Sequence, residues 1–200
     1  MAKKLNTKDK ILEVALELFS RHGFAGTSIR QIAKKVGIRE SAIYNHFPSK
    51  EKIFGNIVSQ FKSTAIGTEI LSDDLIDDLG DPYIFMNNFC ERLVRHWNSR
   101  EERKFIRLLL MEQYRETKES KLAMSDYLNE ARSIWWMIFD ELVKHNFIKK
   151  IDPKILANEF IAPLFFIRVE YLSTDDPKNF DQVLDLVKKH VDFFWQAVKK

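Results

Sequence analysis

Two hundred residues suffice for one large domain or for a small domain fused to a larger one, and either is long enough to bury a core. The apolar and charged fractions, 45% and 30%, are those of a globular chain, and only six Gly and five Pro favour helix over sheet, so the expected fold class is all-α. The longest apolar run, residues 160–167, is broken by Pro163 and falls short of the roughly 18–20 residues a membrane helix needs, which argues against a membrane partner.

Other classes are excluded on similar grounds. Lys3, Lys4, Lys8 and Lys10 open the chain without an apolar run behind them, so no signal peptide and a cytoplasmic location are expected. The single cysteine, Cys90, lies among Phe85, Met86, Phe89 and Leu93 and reads as a small buried hydrophobe. Charge is uneven: residues 1–54 carry eleven Lys and Arg against five Asp and Glu, a balance of +6, and the remainder stands at −3. A basic segment beside an acidic body is the electrostatic footprint of nucleic-acid binding.

In chain order, Asn6 or Thr7 can cap a first helix whose apolar positions Ile11, Leu12, Ala15, Leu16, Leu18 and Phe19 recur at helical steps, with Gly23 as its stop. Thr27 or Ser28 opens a second, short helix, Ser28 and Gln31 standing at capping-box spacing, and it ends near Val36 before Gly37. A third helix is expected over residues 39–47, stopped by Pro48; Ser49 then caps a fourth that runs through Ile53, Phe54, Ile57, Val58 and Phe61. The acidic stretch from Asp73 to Asp81 reads as a loop or a frayed helix end. Beyond it, helices are expected over residues 82–98, 101–116, 120–146, 153–172 and 178–199, separated by Asn98-Ser99, Asp152-Pro153 and Asp175-Asp176-Pro177.

The segment from Thr27 to Phe54 meets the demands of a helix-turn-helix. Ala33 is small where the two helices approach, Gly37 tolerates positive φ in the turn, and Ile43 closes the small core between them. Ile43 and Phe47 form the inner side of the third helix, so Arg39, Glu40, Ala42, Tyr44, Asn45 and His46 point outward. Such groups suit base edges: Asn reads adenine, Glu accepts from cytosine, and an Ala methyl meets a thymine methyl. Lys50, at the start of the fourth helix, stands where backbone N–H groups favour a phosphate.

Through T-S-I-x-x-I-A, the V-G-I turn, I-Y-N-H-F and the S-K-E that opens helix four, residues 10–54 resemble the TetR family of bacterial and archaeal regulators. The resemblance implies about nine helices, with Thr27, Ser28, Tyr44 and Lys50 at phosphates and Glu40, Ser41, Ala42, Asn45 and His46 facing the major groove. It also implies a homodimer on an operator in double-stranded DNA. Arg39 and Glu40 depart from the family pattern, since Arg39 is a poor cap and the Glu40 carboxylate repels DNA unless it accepts a base amine or pairs with Arg39. The operator is therefore not transferable from relatives.

The expected domains are a helix-turn-helix domain over residues 1–54 and a helical ligand-binding and dimerisation domain over residues 55–200. The wide apolar arcs of the last two helices suggest a two-fold four-helix interface containing Phe160, Leu164, Val187, Val191 and Phe194. The aromatic residues of the body suggest a pocket for a lipophilic or aromatic effector, with Phe85, Phe89, Trp97, Phe105, Leu109, Trp135, Phe139 and Phe165 as candidate lining. His22, His96, His145 and His190 lack metal-ligand spacing, and no nucleophile elbow or phosphate loop occurs, so neither metal, cofactor nor enzymatic activity is expected. Two rival readings remain at this point. A helical small-molecule-binding protein would bind no DNA, and an interaction adaptor using the helix-turn-helix as scaffold would bind its partner with little salt dependence.

Overall fold

The computed structural model describes residues 6–64, 75, 78–114, 124–174 and 180–200. Asp73, Asp74 and Asp77, the start of the helix expected from residue 120, and the break at Asp175-Asp176-Pro177 lie outside the described residues. Nine α-helices occur among those described: α1 Thr7–His22, α2 Ile29–Val36, α3 Glu40–Tyr44, α4 Lys50–Thr64, α5 Pro82–Trp97, α6 Arg100–Glu112, α7 Met124–Lys144, α8 Pro153–Leu172 and α9 Phe180–Val198. A short 3-10 turn, Asp78–Gly80, precedes α5. No strand occurs among the described residues, only an isolated antiparallel bridge between Ile148 and Lys199.

The boundaries have local causes. Asn6 caps α1 through its side-chain oxygen on the Asp9 N–H, at 2.9 Å. Asp81 accepts from the N–H groups of Tyr83 and Ile84 and places Pro82 at the first position of α5, where its missing N–H costs nothing. Asp152 and Pro153 repeat the device at α8. The helix expected over residues 39–47 is shorter than its pattern: α3 ends at Tyr44, and the N–H groups of His46 and Phe47 both turn back to the Ile43 carbonyl.

The chain falls into two compact units, one drawn from Met1–Ser63 and Lys104–Met124, the other from Thr64–Arg103 and Ser125–Lys200. In the first, Phe19, Phe24 and Phe54 pack edge to tilted face with ring centroids 5.2–6.0 Å apart, backed by Ile11, Ala15, Ile32, Ala33 and Ile43. In the second, α5, α8 and α9 enclose an aromatic core in which Phe89, Trp135, Phe139, Phe160 and Phe194 interlock. Phe160 and Trp135, 4.2 Å apart, stand at its centre.

Candidate nucleic-acid interface

The site is built on α2, the turn and α3. Ser28 and Gln31 form the full capping box: the Gln31 N–H donates to Ser28 Oγ at 3.2 Å, and the Ser28 N–H donates to Gln31 Oε1 at 2.7 Å. Gly37 takes the left-handed conformation, φ 85° and ψ 31°, and its N–H and that of Ile38 both return to the Ala33 carbonyl at 3.0 Å. A side chain at Gly37 would be strained by this backbone, which is why the turn needs glycine. The turn aims α3 so that Ile43 and Phe47 are sealed beneath it.

The opposite side of α3 is open. Arg39, Glu40, Ser41, Asn45 and His46 are exposed, Tyr44 is 52% exposed and Ala42 half-buried. Arg39 occupies the N-cap position without a side-chain capping bond, as its residue type suggests. The outward set read from the sequence is thus brought together on α3 and the residues that flank it. Cations surround it unequally: Arg30 and Lys34 are exposed on α2, whereas Lys35 is held by Glu17 of α1 at 2.6 Å. The hydrogen bond and charge of Lys35 hold the Glu17 carboxyl below its ordinary pKa, with Lys104 and Arg21 adding to the effect against the opposing cost of burial.

Two residues implied to meet phosphates have internal roles. The Thr27 side chain is a correction: it is 2% exposed, and its hydroxyl donates to the Gly23 carbonyl at 2.9 Å, fastening the turn between α1 and α2 rather than facing solvent. Lys50 is half-buried, its ammonium donating to the carbonyls of Phe24 and Thr27 at 2.7 and 2.6 Å and lying 4.3 Å from the Phe24 ring. The same turn is gripped by a residue that the sequence reading missed. Glu112 of α6, 7% exposed, accepts from the Phe24 N–H at 2.9 Å, and its oxygen stands 3.0 Å from where a Cβ on Gly23 would be. Glu112 is 88 residues from Phe24 in the chain, and no local pattern could have announced the contact.

The sequence-based dimer stripe also needs correction. Phe160, Leu164, Val187, Val191 and Phe194 are all buried within the chain, because α8 and α9 direct that stripe at α5 and α7. The exposed apolar residues of these helices are Ile155 and Phe166 on α8 and Phe193 on α9, the last 76% exposed.

The candidate pocket residues Phe85, Phe89, Trp135 and Phe139 pack against one another in the core. Trp97 is buried, Phe165 half-buried, Leu109 buried, and Phe105 stacks on Phe61 at 4.3 Å. Two grooves have other linings. One of about 440 Å³ runs between α5 and α9 beside Tyr83, Asn87 and Lys188, and one of about 260 Å³ lies between α7 and α8 beside Arg132, Trp136 and Lys154. Among the described residues no group of His, Cys, Asp and Glu gathers closely enough to hold a metal, and no helix is long and apolar enough to cross a membrane.

Residues 11–57 match the family model described as bacterial regulatory proteins, tetR family. Across 198 residues, 92% of each chain, the protein is 27% identical to the probable HTH-type transcriptional regulator YttP of Bacillus subtilis. Over 47 residues, 24% of this chain and 25% of the relative, it is 47% identical to the biofilm operon icaADBC HTH-type negative transcriptional regulator IcaR of Staphylococcus aureus. Its fold is similar to that of the ketosteroid transcriptional regulator KstR2 of Mycobacterium tuberculosis, with a TM-score of 0.73 at 16% identity over 99% of this chain and 97% of that one. The matched segment spans the capping box, the Gly37 turn and the exposed face of α3, and the likeness of fold extends over the remaining helices. Residues 11–57 are thus similar to the helix-turn-helix segment of the tetR family of bacterial regulatory proteins, and the whole chain is similar in sequence to one HTH-type regulator and in fold to another.

Proposed function

We propose that the protein is a cytoplasmic repressor that binds a palindromic operator as a homodimer and leaves it when a small apolar effector binds. Residues 1–54 serve as the DNA-binding part and residues 55–200 as the effector-binding and dimerising part. The observation that carries the reading is the two-sided segment of α3 and the turn after it: Ile43 and Phe47 are held inside, while Glu40, Ser41, Tyr44, Asn45 and His46 are left to the groove. Asn45 and Glu40 read bases, and Ser28, Arg39 and Tyr44 approach the backbone.

A dimer presents two such helices to half-sites about 34 Å apart. Phe166 and Phe193, with Ile155, give α8 and α9 an apolar face suited to a second copy. The name of KstR2 ties that protein to ketosteroids, and the aromatic interior of the second unit here suits a comparably apolar effector. Coupling of about 1–3 kcal/mol between effector and operator is enough for release. Selection of bound fragments from random duplex DNA tests the reading. An inverted repeat with that spacing is the expected result; no enriched sequence, or an asymmetric single site, overturns it.

A further inference from the structure

α6 lies beyond the first 54 residues, yet from Lys104 on it packs with α1–α4 in one compact unit, Phe105 stacking on Phe61 of α4. At its end, Glu112 and Lys50 hold Phe24 from both sides of its backbone. The Phe24 N–H donates to Glu112 Oε1 at 2.9 Å, and the Phe24 carbonyl accepts from Lys50 Nζ at 2.7 Å. The turn closes only loosely on itself, because the Thr27 N–H reaches the Phe24 carbonyl at 3.4 Å, long for such a bond. The next residue, Ser28, is the N-cap of α2, so the course of this turn sets where α2 begins. The far end of α2 is tied to α1 by Lys35 on Glu17 at 2.6 Å, and the Glu17 carboxyl, lowered chiefly by that bond, also feels the charge of Lys104 on α6.

We infer that Glu112 is a positioning residue for operator binding: through the Phe24 N–H it fixes the turn that sets the start of α2, and with it exposed Ser28, Arg30 and Lys34. This rests on the DNA-binding reading above and extends the DNA-binding part from residues 1–54 to residues 104–112. Glu112 itself touches no DNA; it is 7% exposed and acts on backbone. A carboxylate accepts an N–H more strongly than a neutral oxygen does, and a buried bond of this kind is costly to lose. A turn released from Glu112 lets the start of α2 wander against the phosphates, which weakens the contacts that set register. The side chains that read bases from α3 are unaltered, so the order of preference among operator sequences stays the same.

The test uses the full chain, labelled with ¹⁵N-phenylalanine, and the duplex that it selects from random DNA. Glu112→Met keeps the length of the side chain and removes its acceptors. It is expected to shift the Phe24 amide resonance upfield and to weaken every operator variant about tenfold without changing their order. Glu112→Gln, whose amide oxygen still accepts the N–H, should recover most of that affinity. Val183→Ala, in the core of the second unit, should lower the melting temperature and leave operator affinity unchanged. If Glu112→Met loses no more affinity than Val183→Ala, or Glu112→Gln recovers none, Glu112 is a packing residue and the inference falls. Should Glu112→Met not fold, the unaltered chain decides: by reciprocity, operator binding slows hydrogen exchange at the Phe24 amide, and an unchanged rate overturns the inference. Those failures leave the DNA-binding reading standing, whereas a chain that selects no duplex at all sinks that reading and the inference with it.

Discussion

The helix-turn-helix segment and the α8–α9 body place their polar groups in opposite ways. Around α2 and α3, side chains bond mainly to backbone: Ser28 with Gln31 and Thr27 with Gly23 within four residues, and Lys50 and Glu112 with the Phe24–Thr27 turn from farther along the chain. These ties fix the backbone of the turns, and they leave the exposed side chains of α3 to face outward. In the body, polar groups meet across long stretches of chain inside or beside an aromatic core, Arg168 with Glu102 and Tyr83 with Asp192. Local capping produces a precise outward surface; long-range pairing produces an interior that carries polar chemistry, and carries its desolvation cost as well.

The sharpest way to break this comparison is Glu102→Ala. Removing the carboxylate beside fully buried Arg168 should cost about 3–5 kcal/mol, read by denaturant unfolding, while Glu102→Leu with Arg168→Met recovers most of the loss. If the double variant is as unstable as the single one, the pair is a packing element and the contrast fails. Lys50→Ala comes next. Two carbonyls of the turn lose a charged donor, so a loss of about 2 kcal/mol and weaker affinity for every operator variant are expected. Gly37→Ala tests the backbone alone, because no atom lies within 4 Å of the new methyl, and a loss of about 1–2 kcal/mol from the positive φ should appear in the melting temperature.

Asn45→Ala should leave stability within about 0.5 kcal/mol yet change which operator sequence is preferred. Identical operator profiles for Lys50→Ala and Asn45→Ala would erase the distinction between a residue that positions and one that reads. The smallest effect concerns His190. Burial lowers the pKa of its imidazole, against the opposing hydrogen bond to the Phe160 carbonyl at 2.8 Å. The unfolded chain therefore takes up this proton first, at about pH 6.5. The contribution of His190 is fully present above that pH and is lost as pH falls through the window below it. A pH series of unfolding curves should be flatter there for His190→Gln.

These residues also show how far the chain can be read before its structure is known. The helix-turn-helix was legible because its determinants are local: a cap three residues from its partner, a glycine that needs positive φ, an apolar residue one turn from the next. The helix starts at Asn6, Asp81-Pro82 and Asp152-Pro153 followed from caps and prolines of the same short range. The stripe on α8 and α9 was harder. Periodicity identifies an apolar face but not which of two wide arcs is covered by the same chain, so Phe160 and Phe194 looked like partner-facing residues when the exposed ones were Phe166 and Phe193. Glu112 and Arg168 gave no local signal, because the sequence separations of 88 and 66 residues that make their contacts structurally useful also hide them from any pattern.

Gly23 carries a consequence for how this sequence can vary. Its backbone stands at φ 71° and ψ 169°, a region open to glycine almost alone, and an oxygen of Glu112 stands 3.0 Å from where a Cβ would be. A saturation library at this codon should therefore return glycine even when selected only for a folded chain. Movement of the Glu112 side chain can relieve the crowding, but not the torsion, so the positive φ alone holds the position to glycine. The position acts as a hinge pin with a single permitted part, and drift in the surrounding segment has to pass around it.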